Sequence, residues 1–170
     1  MIVDGMTFDE ALLLAQKNGY AERDPSADVD GHDACRKICI LASLAYGKHV
    51  YPDNVHTEGI TKITLEDVKS AERLGFVIKL IGYVKNCDGK VFARVSPLLL
   101  ENDSPLAMVE DVFNGIFVNG DMLGDAMFYG RGAGTAPTAS AVCGDVLDVV
   151  RNPKKPGGNI DNSTLAVKQS

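Results

Sequence analysis

The sequence predicts an α+β fold in which helices cover one face of a mostly antiparallel or mixed sheet. Three observations carry that expectation. Up to Gly75 the apolar residues fall into helical periods with capping residues at their starts; from Phe76 the chain alternates like strands interrupted by Asp88-Gly89 and Asn119-Gly120; and an Ala- and Val-rich helix follows the cluster Gly130-Arg-Gly-Ala-Gly134. With 170 residues, 45% of them hydrophobic, there is enough apolar surface for one domain with a core.

Thr7-Phe8-Asp9-Glu10 has a cap and an acid three residues later, a capping box that opens a short helix stopping at Asn18-Gly19. Residues 20–31 are rich in acids and turn formers around Pro25 and read as a polar loop. A second helix, from Asp33 to Tyr46 with Gly47 as its stop, is apolar on nearly every side and is assigned to the core. Thr64-Leu65-Glu66-Asp67 begins a third helix that closes at Gly75 and flanks the sheet. Strands are expected at Phe76–Lys85, Val91–Leu99, Gly115–Val118 and Met122–Tyr129, with turns at 86–89 and 119–120. Ser104-Pro105 starts a short helical turn between the two hairpins, and Thr135–Arg151 is the last helix. The domain division that follows is 1–129 as the main domain, 130–151 as a glycine-rich turn and helix, and 152–170 as a linker or tail around Pro153 and Pro156.

Composition narrows the functional classes. A formal net charge of −6 argues against nucleic acid as a partner, since phosphate binding needs clustered Lys and Arg. The longest apolar runs, such as Ile38–Ala42 and Pro97–Leu100, fall far short of the roughly 20 residues that cross a bilayer. The N-terminus has no basic segment followed by an apolar one, so cytoplasmic residence is expected. Cys35, Cys39, Cys87 and Cys143 form no CxxC pair, Cys35 and Cys39 lie four apart on an apolar helix, and the four cysteines are expected to be buried reduced thiols. His32, His49 and His56 lack metal-ligand spacing, and no metal is expected.

The chemistry-bearing residues gather at two places. Lys37 lies one helical turn after Asp33 on a helix otherwise suited to burial, so a partly desolvated ion pair is expected there. An ammonium withdrawn from water is costly unless a carboxylate accompanies it, and lysines in such settings serve in proton transfer. An ordinary helix salt bridge is the other reading. Glu22, Asp24, Asp28 and Asp30 precede that helix and could receive the amino group of a small substrate, although a solvated acidic loop has the same composition. Gly130–Gly134, between a strand and a helix, suits either a tight turn or close approach of an anion to free N–H groups. It matches neither GxGxxG nor GxxxxGK[ST], and no GxSxG motif occurs, so nucleotide-hydrolysing and serine-hydrolase classes are unsupported.

Gly19-Tyr20-Ala-Glu22-Arg-Asp24-Pro25-Ser-Ala-Asp28-Val-Asp-Gly31-His-Asp33-Ala-Cys-Arg-Lys37 has the long pattern GYxExDPxxDxxGxDxxxK and resembles the substrate-site segment of homoserine dehydrogenases. Gly130–Gly134 with Thr135-Ala-Pro-Thr138, together with Glu58-Gly-Ile, Ile78-Lys-Leu and Pro105-Leu-Ala in order, extends the resemblance over residues 6–151. It implies an NAD(P)-dependent enzyme of threonine and methionine biosynthesis that interconverts aspartate 4-semialdehyde and L-homoserine. By motif position Glu22 resembles the carboxylate that holds the substrate amino group, Asp33 the acid near the reacting end, Asp28 and Tyr20 supporting residues, and Lys37 the proton donor. Gly134, with Gly132 and Thr135, resembles the segment that touches the dinucleotide. The family's Rossmann domain, with its glycine fingerprint, is expected to be missing from this chain, which would leave it inactive alone. Homodimers that pair through the sheet are implied too, with Phe76–Leu100 supplying strands. A non-catalytic amino-acid-binding or dimerisation module is the alternative.

Overall fold

The computed structural model describes residues 5–18, 21–132, 134–152 and 161–164. The chain divides into two compact units, 1–99 with 159–170, and 100–158.

The first unit opens with α1 (Phe8–Lys17), where the Thr7 and Glu10 capping box forms as expected. A single helical turn, α2 (Ser26–Val29), follows Pro25 inside the stretch expected to be loop. Pro25 ends one helix possibility and starts another, because its backbone (φ −85°) is compatible with a helix entry and it needs no N–H partner there. Gly31 (φ 80°) then turns the chain into α3 (His32–Tyr46), which stops at Gly47 (φ 68°). Strand β1 (Lys48–His49), a 3-10 turn at Pro52–Asn54 and strand β2 (His56–Thr57) lead to α4 (Leu65–Arg73), capped by Thr64 and Asp67.

The long strands β3 (Phe76–Cys87) and β4 (Lys90–Glu101) meet at Asp88-Gly89, whose φ values of 54° and 81° are those of a tight two-residue hairpin turn. Sheet order is β2-β4-β3, with β2 parallel to β4 (His56↔Arg94, Thr57↔Val95), so the sheet is mixed. Cys35, Cys39 and Ala42 of α3 pack on Val91, Ala93 and Val95 of β4, with Leu80 and Val84 of β3 against them. Ile78 of β3 and Leu99 of β4 line a cavity of about 320 Å³ with Asp67, Ala71 and Leu74 of the α4 segment. Since 78, 80 and 84 share one face of a strand, α3 and α4 lie on the same face of the sheet, as the sequence predicts. Val91 and Val95, 1% and 0% exposed, each contribute about 2 kcal/mol by burial.

The second unit holds β5 (Phe113–Gly120), β6 (Gly124–Arg131) and α5 (Thr135–Arg151). β5 and β6 pair antiparallel from Phe113↔Arg131 to Gly120↔Gly124 and form a sheet of their own. The turn is not Asn119-Gly120 but residues 121–123: Gly124 takes the left-handed conformation (φ 72°), and Asn119 sits in the ladder, donating its Nδ2 to Asp125 Oδ1 at 2.6 Å. Ser104 begins the expected short turn, its carbonyl accepting the Ala107 N–H at 2.9 Å.

The hairpin β5–β6 and α5 fall within the same compact unit. Within the expected tail, β7 (Asp161–Thr164) pairs parallel with β1, because two residues at Lys48–His49 leave an edge with free backbone groups.

Candidate active site

Of the predicted residues of the first unit, Asp28 lies on α2 and Asp33 and Lys37 on α3, two elements that pack on each other, while Glu22 lies in the stretch before α2. Gln16, in the last turn of α1, donates its Nε2 to the Glu22 carbonyl at 2.9 Å and, longer, to that of Arg23 at 3.4 Å, tying the segment that carries Glu22 to α1. Sequence reasoning passed over Gln16; its only sign was a polar residue in the last helical turn before the acids. Asp24 accepts Ser26 N–H at 3.1 Å, and the Ser26 side chain first and this N–H second hold the Asp24 carboxyl below its usual range. Asp28 lies on α2, and its carbonyl accepts Gly31 N–H at 3.1 Å. Tyr20 lies outside the described residues.

Asp33, in the first turn of α3, and Lys37 form the expected ion pair, Nζ to Oδ2 at 2.7 Å. The expected desolvation is not found: the Lys37 side chain is 62% exposed and that of Asp33 43%. The reason is rotational. Cys35, Cys39, Ala42 and Ser43 face the sheet, which turns positions 33, 37, 40 and 44 outward, and Ile40 and Leu44 are 60% and 63% exposed. The helix is therefore buried on one face and not on nearly every side. At that exposure the pair stabilises the fold by only about 0.3–0.5 kcal/mol. An acid followed four residues later by a base is also the favourable order along a helix.

The buried face has its own polar fixture. Ser43 Oγ donates to Cys39 O at 2.7 Å and accepts Val50 N–H at 2.9 Å, locking the chain after α3 back onto the helix. Cys39 stays a thiol: burial first, and then the adjoining Cys35, push its pKa up to about 12. Both thiols are free and buried.

The second predicted segment lies in the other unit. Phe113 stacks on Tyr129 (centroids 4.8 Å apart, 7° between planes) and carries the Arg131 guanidinium over its ring at 5.1 Å, which fixes the strand end before Gly132. A Cβ on Gly132 would fall on the Asn114 side chain. Gly134 (φ 120°) caps α5 with no side-chain bond, so the N–H groups of Thr135 and Ala136 begin the helix without a capping side chain. Pro137 has no N–H to add. Among the described residues no group of three or more His, Cys, Asp or Glu is placed to hold a metal, and no helix is long and apolar enough to cross a membrane.

Residues 1–147 match the family model for homoserine dehydrogenase. The homoserine dehydrogenase of Synechocystis sp. is 52% identical over 154 residues, covering 88% of this chain and 36% of that protein. The chain belongs to the homoserine dehydrogenase family. Solved homoserine dehydrogenases share the fold as well: that of Thiobacillus denitrificans superposes with a TM-score of 0.90 at 37% identity, over 97% of this chain and 40% of that one. A hyperthermophilic archaeal homoserine dehydrogenase, solved in complex with NADPH, gives a TM-score of 0.71 at 30% identity over 93% of this chain and 43% of that one. The chain thus spans a little over a third of the length of the curated relatives it matches.

Proposed function

We propose that this chain is the substrate-binding part of a homoserine dehydrogenase, which interconverts aspartate 4-semialdehyde and L-homoserine with NAD(P) and works only when joined to a nucleotide-binding half. The observation that carries this reading is the Asp33–Lys37 pair at 2.7 Å on α3, directly after the corner that bears Asp28, in a chain of this family.

Glu22 and Asp28 offer carboxylates to the substrate ammonium, with Tyr20 beside Glu22 in sequence as a further binding residue. Lys37 can donate a proton to the carbonyl oxygen as the aldehyde is reduced and accept it from the hydroxyl in the reverse direction. Asp33 holds the Lys37 ammonium in place and offers its second oxygen to the substrate. The dinucleotide, when bound, supplies or takes the hydride at the aldehyde carbon. Gly134 suits approach of an anionic group, because it has no Cβ and leads into the free N–H groups of Thr135 and Ala136; Gly132 keeps the preceding backbone bare. We place the activity in the cytoplasm, where the free thiols of Cys35 and Cys39 persist, and assign it to a homodimer.

The test is to splice this chain into the Synechocystis relative in place of its matching segment and follow NAD(P)-linked homoserine oxidation. Activity that falls by about 100-fold or more in Lys37→Met, with substrate binding retained, is expected for a lost proton-transfer group. A folded chimaera without turnover, or with turnover that ignores Lys37→Met, would instead favour an amino-acid-binding module.

A further inference from the structure

The corner that joins α2 to α3 sits on a platform of extended chain with no room between them. A Cβ built on Gly59 would fall on the Val29 carbonyl oxygen and the Asp30 Cα, and both are backbone atoms with no rotamer to move aside. Ile60 N–H donates to the same Val29 carbonyl at 2.7 Å, while Glu58 N–H donates to Val95 O at 2.8 Å and fixes the platform to β4. Gly31 completes the contact from the other side: it is buried, and a Cβ there would lie 3.3 Å from both Thr57 Cγ2 and Val95 Cγ1. Asp28 lies before this contact on α2, and Asp33 and Lys37 lie after it on α3.

We propose that Gly59 is a positioning residue for the substrate site: its bare Cα lets the Val29–Gly31 corner seat on Glu58–Ile60, which sets the spacing between the Asp28 carboxylate and the Asp33–Lys37 pair. A side chain at position 59 must lift the corner off its platform, because the obstacle is main chain on both sides. The pair itself survives such a shift, since both its members ride on α3. Substrate contacts that need α2 and α3 together do not. The proposal rests on the reading of Asp28, Asp33 and Lys37 as substrate residues.

The experiment compares the parent chain with Gly59→Ala, with Ile60→Pro, which puts a ring carbon where the N–H points at Val29, and with Val68→Ala. Val68 is buried on α4, away from the corner, and its truncation is the control for general loss of packing. L-Homoserine affinity by calorimetry and Tm are read for each, and amide exchange at position 60 for the parent, Gly59→Ala and Val68→Ala, which keep that N–H. Gly59→Ala is expected to weaken homoserine binding at least tenfold and to speed exchange at Ile60, with the Lys37 side-chain resonances unchanged. Val68→Ala is expected to lower Tm while affinity stays within twofold. Should Gly59→Ala fail to fold, Ile60→Pro carries the same comparison. Affinity within twofold of the parent in the corner variants, or an equal loss in Val68→Ala, overturns the proposal. If the parent binds no homoserine, the substrate reading falls, and with it the substrate role of Gly59; intact Ile60 protection in Gly59→Ala would then also dismiss the clamp.

Discussion

Cys39 shows at the scale of one residue how burial sets chemistry. Its thiol is 4% exposed and its pKa is raised to about 12, by burial first and by Cys35 second, against a usual value of 9.0. The unfolded chain therefore loses this proton before the folded one does. The stabilising contribution is complete below pH 9.0 and declines as pH rises from there towards about 12. Cys39→Ala should flatten the alkaline limb of the stability curve, measured by urea unfolding between pH 8 and 11; an unchanged limb would show that this thiol does not govern it. The same burial predicts the order of labelling by a thiol reagent: exposed Cys143 on α5 first, and Cys39 only on unfolding. Lys37 is the opposite case. Its partner was readable from spacing, but its exposure depended on which face of α3 met the sheet.

The capped helices are the elements whose stability is most directly legible. At α4, Asp67 Oδ2 accepts the Thr64 hydroxyl at 2.7 Å and the Thr64 N–H at 2.9 Å, which holds the Asp67 carboxyl below its usual 3.8. The unfolded state thus takes up its proton first on acidification. Stability from this bond is complete above pH 3.8 and is lost as pH falls through the depressed folded value. Thr64→Ala should cost about 1 kcal/mol at neutral pH. The gap between parent and variant should narrow on acidification below pH 3.8, as followed by circular dichroism melts; a gap that stays constant would remove Asp67 from the account. The hairpins teach a different lesson. Asp88-Gly89 forms the expected tight turn, yet Asn119-Gly120 continues a strand, because Gly124 four residues on supplies the left-handed conformation the second turn needs. Two candidate turn glycines close together cannot be ranked without the register of the partner strand.

For the whole molecule, the surfaces left exposed are as informative as the core. α5 buries no residue, and Val142, Val146, Val149 and Val150 are all more than half exposed. On the sheet of the first unit, the side opposite the helices carries Tyr83, 41% exposed, edge-on to Phe92 at 6.1 Å. The proposed homodimer is tested on this sheet face. Sedimentation is expected to show a dimer for the parent chain and a shift to monomer for Tyr83→Glu. A parent that is monomeric throughout, or a dimer indifferent to Tyr83→Glu, would remove this sheet face from the interface.

By itself the sequence determined the local structure: where α1, α3, α4 and α5 begin or stop, the β3–β4 turn, and the pairing of Asp33 with Lys37, since caps, helical period and Asp-Gly turns act over four or five residues. The long GYxExDPxxDxxGxDxxxK pattern also pointed to the family. Only the tertiary structure decided which face of α3 is buried, that the expected β5–β6 hairpin forms a sheet separate from β3 and β4, and that Asp161–Thr164 adds a strand to β1. These depend on contacts between residues far apart in the chain, whose partners no local pattern names. The close seating of Val29–Gly31 on Gly59 belongs with them: a glycine in the sequence says that a side chain is absent, and only the fold says what occupies its place.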